Sequence, residues 1–177
     1  MHYTCKYFSP LGCITLAGSD GAITGLWFDG QKYFAANLPE VHEEKEVYVF
    51  KQAKEWLDIY FSGKEPDFTP PLSMSGISAF RKRAWEIMQE IPYGQTLSYG
   101  NIAKRLEHET GKKVSAQAVG GAVGHNCISI IIPCHRVVGT NGSITGYAGG
   151  IEKKRALLSL EGADMSKLII PEKGSAL

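Results

Sequence analysis

A proline-rich break divides the chain into two parts whose hydrophobic patterns differ. Residues 64–76 read KEPDFTPPLSMSG and carry three prolines within six positions, with no hydrophobic periodicity. Proline fixes φ and lacks a backbone donor, so this run cannot continue a helix or a central strand. It predicts an N-terminal domain with its linker over residues 1–75, a second domain over 76–162 and a C-terminal tail over 163–177.

The first part has the pattern of a β-hairpin followed by a helix. Residues 13–18 (CITLAG) and 22–28 (AITGLWF) are rich in β-branched and aromatic side chains and flank the turn signal Ser19-Asp20-Gly21. A helix follows and ends at Gly63. Its apolar face is formed by Val49, Phe50, Ala53, Trp56, Leu57, Tyr60 and Phe61.

The second part begins with three helical segments. The first extends over residues 78–91 and ends at Pro92 and Gly94; the second runs from an N-cap at Ser98 to Gly111. The third is capped by Ser115 and carries small residues along almost its whole length. Two short helices in succession, one of them without bulky side chains, predict a helix-turn-helix.

The remaining segments predict a buried strand, a turn and a closing helix. Residues 128–133 (ISIIIP) form a continuous apolar run, which predicts the strand, and Asn141-Gly142 predicts the turn that bends the chain back. A helix over residues 149–162 closes the domain. The predicted fold class is therefore α+β, with a small mixed α/β domain followed by a mainly helical one.

Composition and charge limit the setting in which such a chain works. Apolar residues make up 44% and charged residues 21%, which is typical of a globular protein. No run approaches ~20 apolar residues and no basic-then-apolar leader opens the chain, which predicts a soluble, unsecreted protein without a membrane partner. Residues 1–75 hold six Lys and Arg against ten Asp and Glu, whereas residues 76–162 hold eleven against six. The second domain is therefore the better partner for a polyanion.

Four cysteines permit disulfides, a metal site or free thiols. Without an export signal, free thiols are favoured for Cys5, Cys13, Cys127 and Cys134. None of them has the close CxxC spacing typical of zinc ligands, so we expect no metal and no cofactor.

Cys134 follows a proline at the end of the apolar run and precedes His135 and Arg136. A thiolate is the nucleophilic form of cysteine, and a cationic or polarising neighbour lowers its pKa. Adjacent residues of an extended chain point to opposite sides, so His135 is expected to act through a relay or a water. Glu161 is the carboxylate chosen to orient the histidine, although a carboxylate at a helix end is more often simply solvated.

Three classes of protein remain compatible with these residues. The first is a thiol hydrolase or acyl transferase, and the second is a DNA-binding helix-turn-helix protein in which Cys134 is structural. The third binds DNA and uses the thiol on it. Only the third uses the basic second domain, the small-residue helix and the thiol together.

The segment IPCHRVVG around Cys134 resembles the active-site motif of the methylated-DNA–protein-cysteine methyltransferases, the O6-alkylguanine-DNA alkyltransferases. The resemblance covers roughly residues 78–162, where IPYGQTLSYGNIA, AVGGAVGHN, IIIPCHRVVGTNGSITGYAGG and RALLSLEG follow in the family's order. It implies a ribonuclease-H-like first domain. It also implies a monomer that acts in the cytoplasm, associated with the nucleoid if the source is bacterial.

The family resemblance implies a repair reaction without turnover. The alkyl group of O6-alkylguanine, and by extension of O4-alkylthymine, moves from duplex DNA to Cys134 and stays there. His135 takes the thiol proton through a water, Glu161 holds His135, and Asn126 braces the active-site turn. A relative that only binds lesions and flags them for another pathway is the alternative.

The resemblance also implies residues that contact DNA and the extruded base. Tyr99 helps to rotate the nucleotide, the backbone of Val137 and Ala148 reads the guanine edge, Tyr147 lines the pocket, and Arg136 belongs to the same contacting group. Extrusion of a base from the duplex costs a few kcal/mol.

The small-residue helix is implied to enter the minor groove, where Ala118, Gly120 and Gly121 allow close approach. The family usually has an arginine at the start of this helix that fills the gap left by the flipped base. Gln117 stands at that position and brings no charge. We therefore expect weaker and less salt-dependent DNA binding, with Lys112 and Lys113 as possible replacements for phosphate contacts.

Overall fold

The computed structural model describes residues 1–170, and the chain divides into two compact units. The first comprises Met1–Gly76 together with Cys127–Ile131. The second comprises Ile77–Asn126 and the chain from Ile132 onward. The first unit contains a sheet and one helix and the second is mainly helical, which confirms the predicted α+β class.

The first unit contains a four-stranded sheet of order β3-β2-β1-β4. Its strands are β1 (His2–Ser9), β2 (Gly12–Ser19), β3 (Ala22–Phe28) and β4 (Glu43–Glu44). Strand β2 pairs antiparallel with both β1 and β3, whereas β4 pairs parallel with β1. The predicted β2–β3 hairpin is confirmed, and β1 was not predicted.

The β2–β3 turn and the helix packing follow from local chemistry. Asp20 and Gly21 both have positive φ (53° and 77°), as a two-residue type I′ turn requires. Helix α1 (Tyr48–Phe61) packs its apolar face on the sheet. A Cβ at Gly18 would lie 2.9 Å from the Phe50 ring, so glycine permits the close approach of helix and strand.

The strand predicted over residues 128–133 is wrong. Ile128 makes only an isolated bridge with Leu26, and the chain then turns at Ile130, whose φ is +69°. The Ile131 N–H donates to the Ser129 carbonyl at 2.8 Å, which closes a γ-turn. This conformation costs a β-branched residue ~1–3 kcal/mol, and complete burial of the Ile130 side chain offsets part of the cost.

The second unit is built on three helices, α2 (Ala79–Gln89), α3 (Tyr99–Thr110) and α4 (Ala116–Gly124). Trp85 of α2 is completely buried, and its Nε1 donates to the Ala122 carbonyl of α4 at 2.8 Å. Helices α3 and α4 pack against each other in the predicted helix-turn-helix.

The predicted boundaries of α3 and α4 are confirmed by their caps. Ser98 accepts from the Asn101 N–H at 3.1 Å, and Ser115 accepts from the Ala118 N–H at 3.0 Å. Gly111 ends α3 with φ +66°, the left-handed conformation that glycine adopts without strain.

The chain after α4 forms the remaining elements of the second unit. Strands β5 (Leu97–Ser98) and β6 (Val137–Val138) pair in parallel, and α5 (Ile151–Leu160) follows the Asn141-Gly142 turn. Part of the predicted tail packs here, because the Ile144 N–H donates to the Ile169 carbonyl at 2.8 Å. Residues 171–177 of that tail lie outside the described residues.

Candidate active site

Cys134 begins a short 3-10 turn, Cys134–Arg136, that follows Pro133. Pro133 has φ −83° and ψ +66°, and the Cys134 N–H donates across it to the Ile132 carbonyl at 2.8 Å, which forms an inverse γ-turn. The expectation of an extended chain at this point is therefore wrong. The tight turn places His135 and Arg136 against one common partner.

Asn126 links the two sides of the Cys134 turn. Its Nδ2 donates to the Ile132 carbonyl at 2.8 Å and to the Cys134 Sγ at 3.1 Å. Both Asn126 and Cys134 are buried. The amide therefore fixes the sulfur relative to its own backbone and donates toward the atom on which negative charge would develop.

Glu161, at the end of α5, is the common partner of His135 and Arg136. Its Oε1 lies 2.6 Å from His135 Nε2, and its Oε2 accepts from Arg136 Nε at 2.9 Å. The Gly94 N–H also donates to Oε2 at 3.1 Å. Arg136 Nη1 donates to the Ile91 carbonyl at 2.7 Å, so the guanidinium is engaged inside the unit, and its predicted contact with DNA stays a prediction.

The charges in this cluster determine which nitrogen of His135 accepts a proton. Burial would raise the pKa of Glu161, but the hydrogen bonds from His135 and Arg136 outweigh it and hold that pKa at about 2. Burial lowers the pKa of His135, so the ring is neutral near pH 7. A neutral ring with Nε2 facing a carboxylate carries its hydrogen there, which leaves Nδ1 as the acceptor.

The Cys134 thiol is 3% exposed, and burial raises its pKa. The hydrogen bond from Asn126 and the charge of Lys154 act in the opposite direction. The resting form of Cys134 is therefore the thiol, and a neighbouring base has to remove its proton during a reaction.

Lys154 of α5 is a residue that sequence reasoning missed. It is completely buried, and its Nζ donates to the carbonyls of Val137 and, at 2.6 Å, Thr145. Burial lowers its pKa to about 8. The signal was available in the sequence, since Lys154 lies three and four positions before the buried Leu157 and Leu158 and so shares their helix face.

Tyr99 and Gln117 line a cleft of ≈ 260 Å³ in the second unit. The other lining residues are Ala116, Gly120, Gly139, Thr140, Thr145 and Gly146. The Tyr99 hydroxyl donates to the Thr145 and Gly146 carbonyls at 3.2 and 3.3 Å, and burial raises the pKa of the phenol. The hydroxyl therefore remains protonated and able to donate at physiological pH.

The outer surface of α4 is open to an approaching partner. Gln117, Ala118 and Gly121 are exposed, and an added Cβ at Gly120 or Gly121 would meet no atom within 4 Å. Packing inside the protein therefore does not require glycine at these two positions. Each glycine within a helix costs ~0.5–1 kcal/mol relative to alanine, and no packing contact within the described part of the chain accounts for that cost at these two positions.

The other predicted pocket residues lie along the chain after the Cys134 turn. Val137 is buried in β6, and Tyr147 is buried with its ring edge-on to His135, at 6.5 Å between centroids. Ala148 is half-buried beside it. Their roles toward a base stay predictions.

The four cysteines are free thiols, as predicted. Within residues 1–170, no group of three or more His, Cys, Asp and Glu side chains is arranged to hold a metal ion. In the same part of the chain, every helix is too short or too polar to span a bilayer.

Two family models match the chain in succession. The model described as 6-O-methylguanine DNA methyltransferase, ribonuclease-like domain, matches residues 1–74, and the one described as the DNA binding domain of the same protein matches residues 79–163. The first match confirms the ribonuclease-like fold expected of the N-terminal part.

Curated relatives match over most of their length. The methylated-DNA–protein-cysteine methyltransferase of Mycolicibacterium paratuberculosis is 42% identical over 153 residues, which cover 86% of this chain and 88% of the relative. The protein of the same name from Methanosarcina acetivorans is 40% identical over 162 residues, covering 91% of this chain and 99% of the relative.

A solved structure agrees with these matches. The OGT protein of Mycobacterium tuberculosis in complex with DNA is 40% identical, with a TM-score of 0.78 over 94% of each chain. Two domain models in sequence order, close relatives over nearly full length and a common fold lead to one conclusion. The chain belongs to the methylated-DNA–protein-cysteine methyltransferase family.

Proposed function

We propose that this chain is a single-use DNA repair protein that moves an alkyl group from O6 of guanine in duplex DNA to Cys134. The observation that carries the proposal is the arrangement of a buried thiol, its Asn126 donor and the His135–Glu161 pair. O4-alkylthymine, with an alkyl group on the corresponding exocyclic oxygen, is the second substrate expected.

The reaction is a displacement at the alkyl carbon. The proton of Cys134 passes through a water to His135 Nδ1, and Glu161 stabilises the resulting imidazolium. The sulfur attacks the methyl carbon, the S–C bond forms and the C–O6 bond breaks with its electron pair leaving on guanine. His135 gives up the proton that it received and guanine takes one up, so guanine returns to its normal form while the cysteine remains a thioether.

We expect the Tyr99 hydroxyl to assist the leaving base. In the free protein it donates to the carbonyls of Thr145 and Gly146 in the wall of the cleft. Donation to the alkylated base instead would stabilise the charge that develops as the bond to oxygen breaks. A base can reach this cleft only after extrusion from the duplex.

The surface of helix α4 favours duplex DNA as the binding partner. Its open glycine positions allow a backbone to come close, and Gln117 lies at both the helix start and the cleft, where it can occupy the space of the extruded base. Gln117 is neutral, so it cannot neutralise a DNA phosphate and release a counterion. We therefore expect this helix to contribute little to the salt dependence of DNA binding.

Intact mass spectrometry tests the proposal directly. The protein is incubated with a duplex carrying one O6-methylguanine, and in parallel with the same duplex carrying guanine. We expect a gain of one methyl group per chain only with the lesion, located by peptide mapping on Cys134 and absent in the Cys134→Ser variant.

Other outcomes point to other functions. Tight lesion binding without a mass change would identify a protein that flags lesions for another pathway. No binding and no mass change would refute the proposal and direct attention to thiol hydrolase or acyl-transfer substrates.

We also propose that the protein acts as a monomer in the cytoplasm, at the nucleoid if the cell is bacterial. One active site lies entirely within the second unit, so the reaction needs no second copy. Light scattering after size exclusion tests the monomer, and imaging of a fluorescent fusion tests the location.

A further inference from the structure

Lys154 is a buried charged residue with no assigned role in the repair reaction. Its side chain is completely buried, whereas Glu152 and Arg155 on the same helix are exposed. Lysine is almost never fully buried unless its charge is compensated, because desolvation of an ammonium costs several kcal/mol.

The groups around Lys154 compensate its charge only in part. Its Nζ donates to the carbonyls of Val137 and Thr145 and lies 5.9 Å from the centre of the Tyr99 ring. In the part of the chain that the structure describes, no carboxylate forms a salt bridge with it. Carbonyl dipoles and a ring face stabilise a cation, but they do not neutralise it.

The titratable groups that interact with Lys154 are those of the active site. The charge of Lys154 lowers the pKa of both Cys134 and His135, and a negative Cys134 in turn raises the pKa of Lys154. The Tyr99 ring is near the ammonium, and its phenol also interacts electrostatically with Cys134. The sulfur is therefore the one group of this set that becomes an anion during the reaction.

We propose that Lys154 is a positioning residue for alkyl transfer, whose buried ammonium stabilises the Cys134 thiolate from the chain segment that follows the nucleophile. The inference rests on the proposed function, since it assigns a role in that same reaction. Its hydrogen bonds to the carbonyls of Val137 and Thr145 hold the ammonium in place. Val137 lies three residues after the nucleophile, and Thr145 lines the cleft, so both bonds tie the ammonium to the active-site segment.

The test uses iodoacetamide and no DNA, so it separates this inference from the repair activity. The rate of carbamidomethylation at Cys134 is followed by peptide mass mapping between pH 6 and 9 in the wild type, Lys154→Gln and Lys154→Arg. Arg155→Met is the matched control, because it removes an exposed positive charge from the same helix.

We expect Lys154→Gln to slow alkylation of Cys134 by ~10-fold near pH 7, because loss of the ammonium raises the pKa of the thiol and leaves less thiolate to react. Lys154→Arg retains the charge and should recover most of the rate. Arg155→Met should match the wild type.

Faster alkylation of Cys134 in Lys154→Gln than in the wild type would overturn the proposal. If Lys154 only braces the loop, its loss exposes the thiol, and Lys154→Gln reacts faster than the wild type. An equal rate in folded Lys154→Gln, or an equal slowing in Arg155→Met, would also refute a specific charge effect. If Lys154→Gln does not fold, Lys154→Arg decides, since a charge role requires it to react as fast as the wild type below pH 7, where Lys154 is protonated.

The methyl-transfer assay distinguishes the two failures. Normal iodoacetamide profiles with no methyl transfer in the wild type would refute the proposed function and leave the electrostatic role of Lys154 intact. Methyl transfer with no charge effect at Lys154 would do the reverse.

Discussion

Removal of the Glu161 charge should destabilise the protein in a strongly pH-dependent way. The side chain is 0% exposed and pairs with both His135 and Arg136. Its pKa lies at about 2 against an ordinary 4.5, and this difference corresponds to ~3 kcal/mol of folding free energy at ~1.4 kcal/mol per unit. Glu161→Gln also leaves the buried Arg136 guanidinium without its anion, a change that costs ~3–5 kcal/mol in buried pairs.

The stabilisation that Glu161 provides should fall as the pH falls. A carboxyl whose pKa is depressed in the folded state contributes its full stability above its unfolded pKa, here 4.5, and loses it as pH falls toward about 2. At pH 3 the wild type should have lost ~2 of the ~3 kcal/mol. The difference in unfolding free energy between wild type and Glu161→Gln should therefore shrink by ~2 kcal/mol from pH 7 to pH 3.

Urea unfolding followed by circular dichroism at pH 7, 5, 4 and 3 measures this difference. Glu152→Gln is the control, because it removes an exposed carboxylate from the first turn of the same helix. A gap between wild type and Glu161→Gln that stays constant from pH 7 to pH 3 would show that Glu161 is not a charged partner in the folded state.

Three further outcomes are expected. Asn126→Ala should slow methyl transfer to Cys134 by ~10-fold or more in single-turnover mass assays, because a charge-assisted hydrogen bond to the sulfur is worth ~1.5–3 kcal/mol; an unchanged rate would contradict this role. Gln117→Arg should tighten duplex binding and steepen the slope of log K against log salt by about one unit, as read by fluorescence anisotropy across a salt series; no tightening at low salt would count against an arginine-like position. Gly121→Ala should raise the unfolding free energy by ~0.5–1 kcal/mol, while Gly121→Leu should bind duplex more weakly at unchanged fold; equal binding would exclude close approach at this position.

The helical second part was predicted well because its signals are local. Ser98, Ser115 and Gly111 are cap residues that act within one turn of their own positions, and the structure places each at the predicted helix end. The apolar face of α1 follows from the same short-range periodicity.

The errors arise where distant residues decide the conformation. β1 is paired on both sides, but its polar residues such as Lys6 gave it no clean alternation. The apolar run at residues 128–133 has a strand-like composition, yet Ile130 adopts a left-handed conformation, and its burial in the first unit offsets part of the strain. No local sequence pattern indicates that burial by distant residues will offset a strained backbone conformation.

The structure brings together residues that the sequence indicated for the candidate site, in a geometry that was not predicted, and their roles stay predictions. The sequence indicated Cys134, His135 and Glu161, but an extended chain would have separated His135 from Arg136, whereas the 3-10 turn brings both to one carboxylate. Lys154 was missed because a lysine within a run of charged residues is usually solvated.

The burial of Cys134 has a consequence for how long the protein remains useful between lesions. A nucleophile that is consumed in one reaction is not regenerated, so each side reaction of the thiol with an oxidant or an electrophile inactivates one protein molecule. Thiols are damaged mainly as exposed thiolates, and this one is 3% exposed with a pKa raised by burial. The enclosed, protonated sulfur is therefore protected from oxidants and electrophiles between reactions.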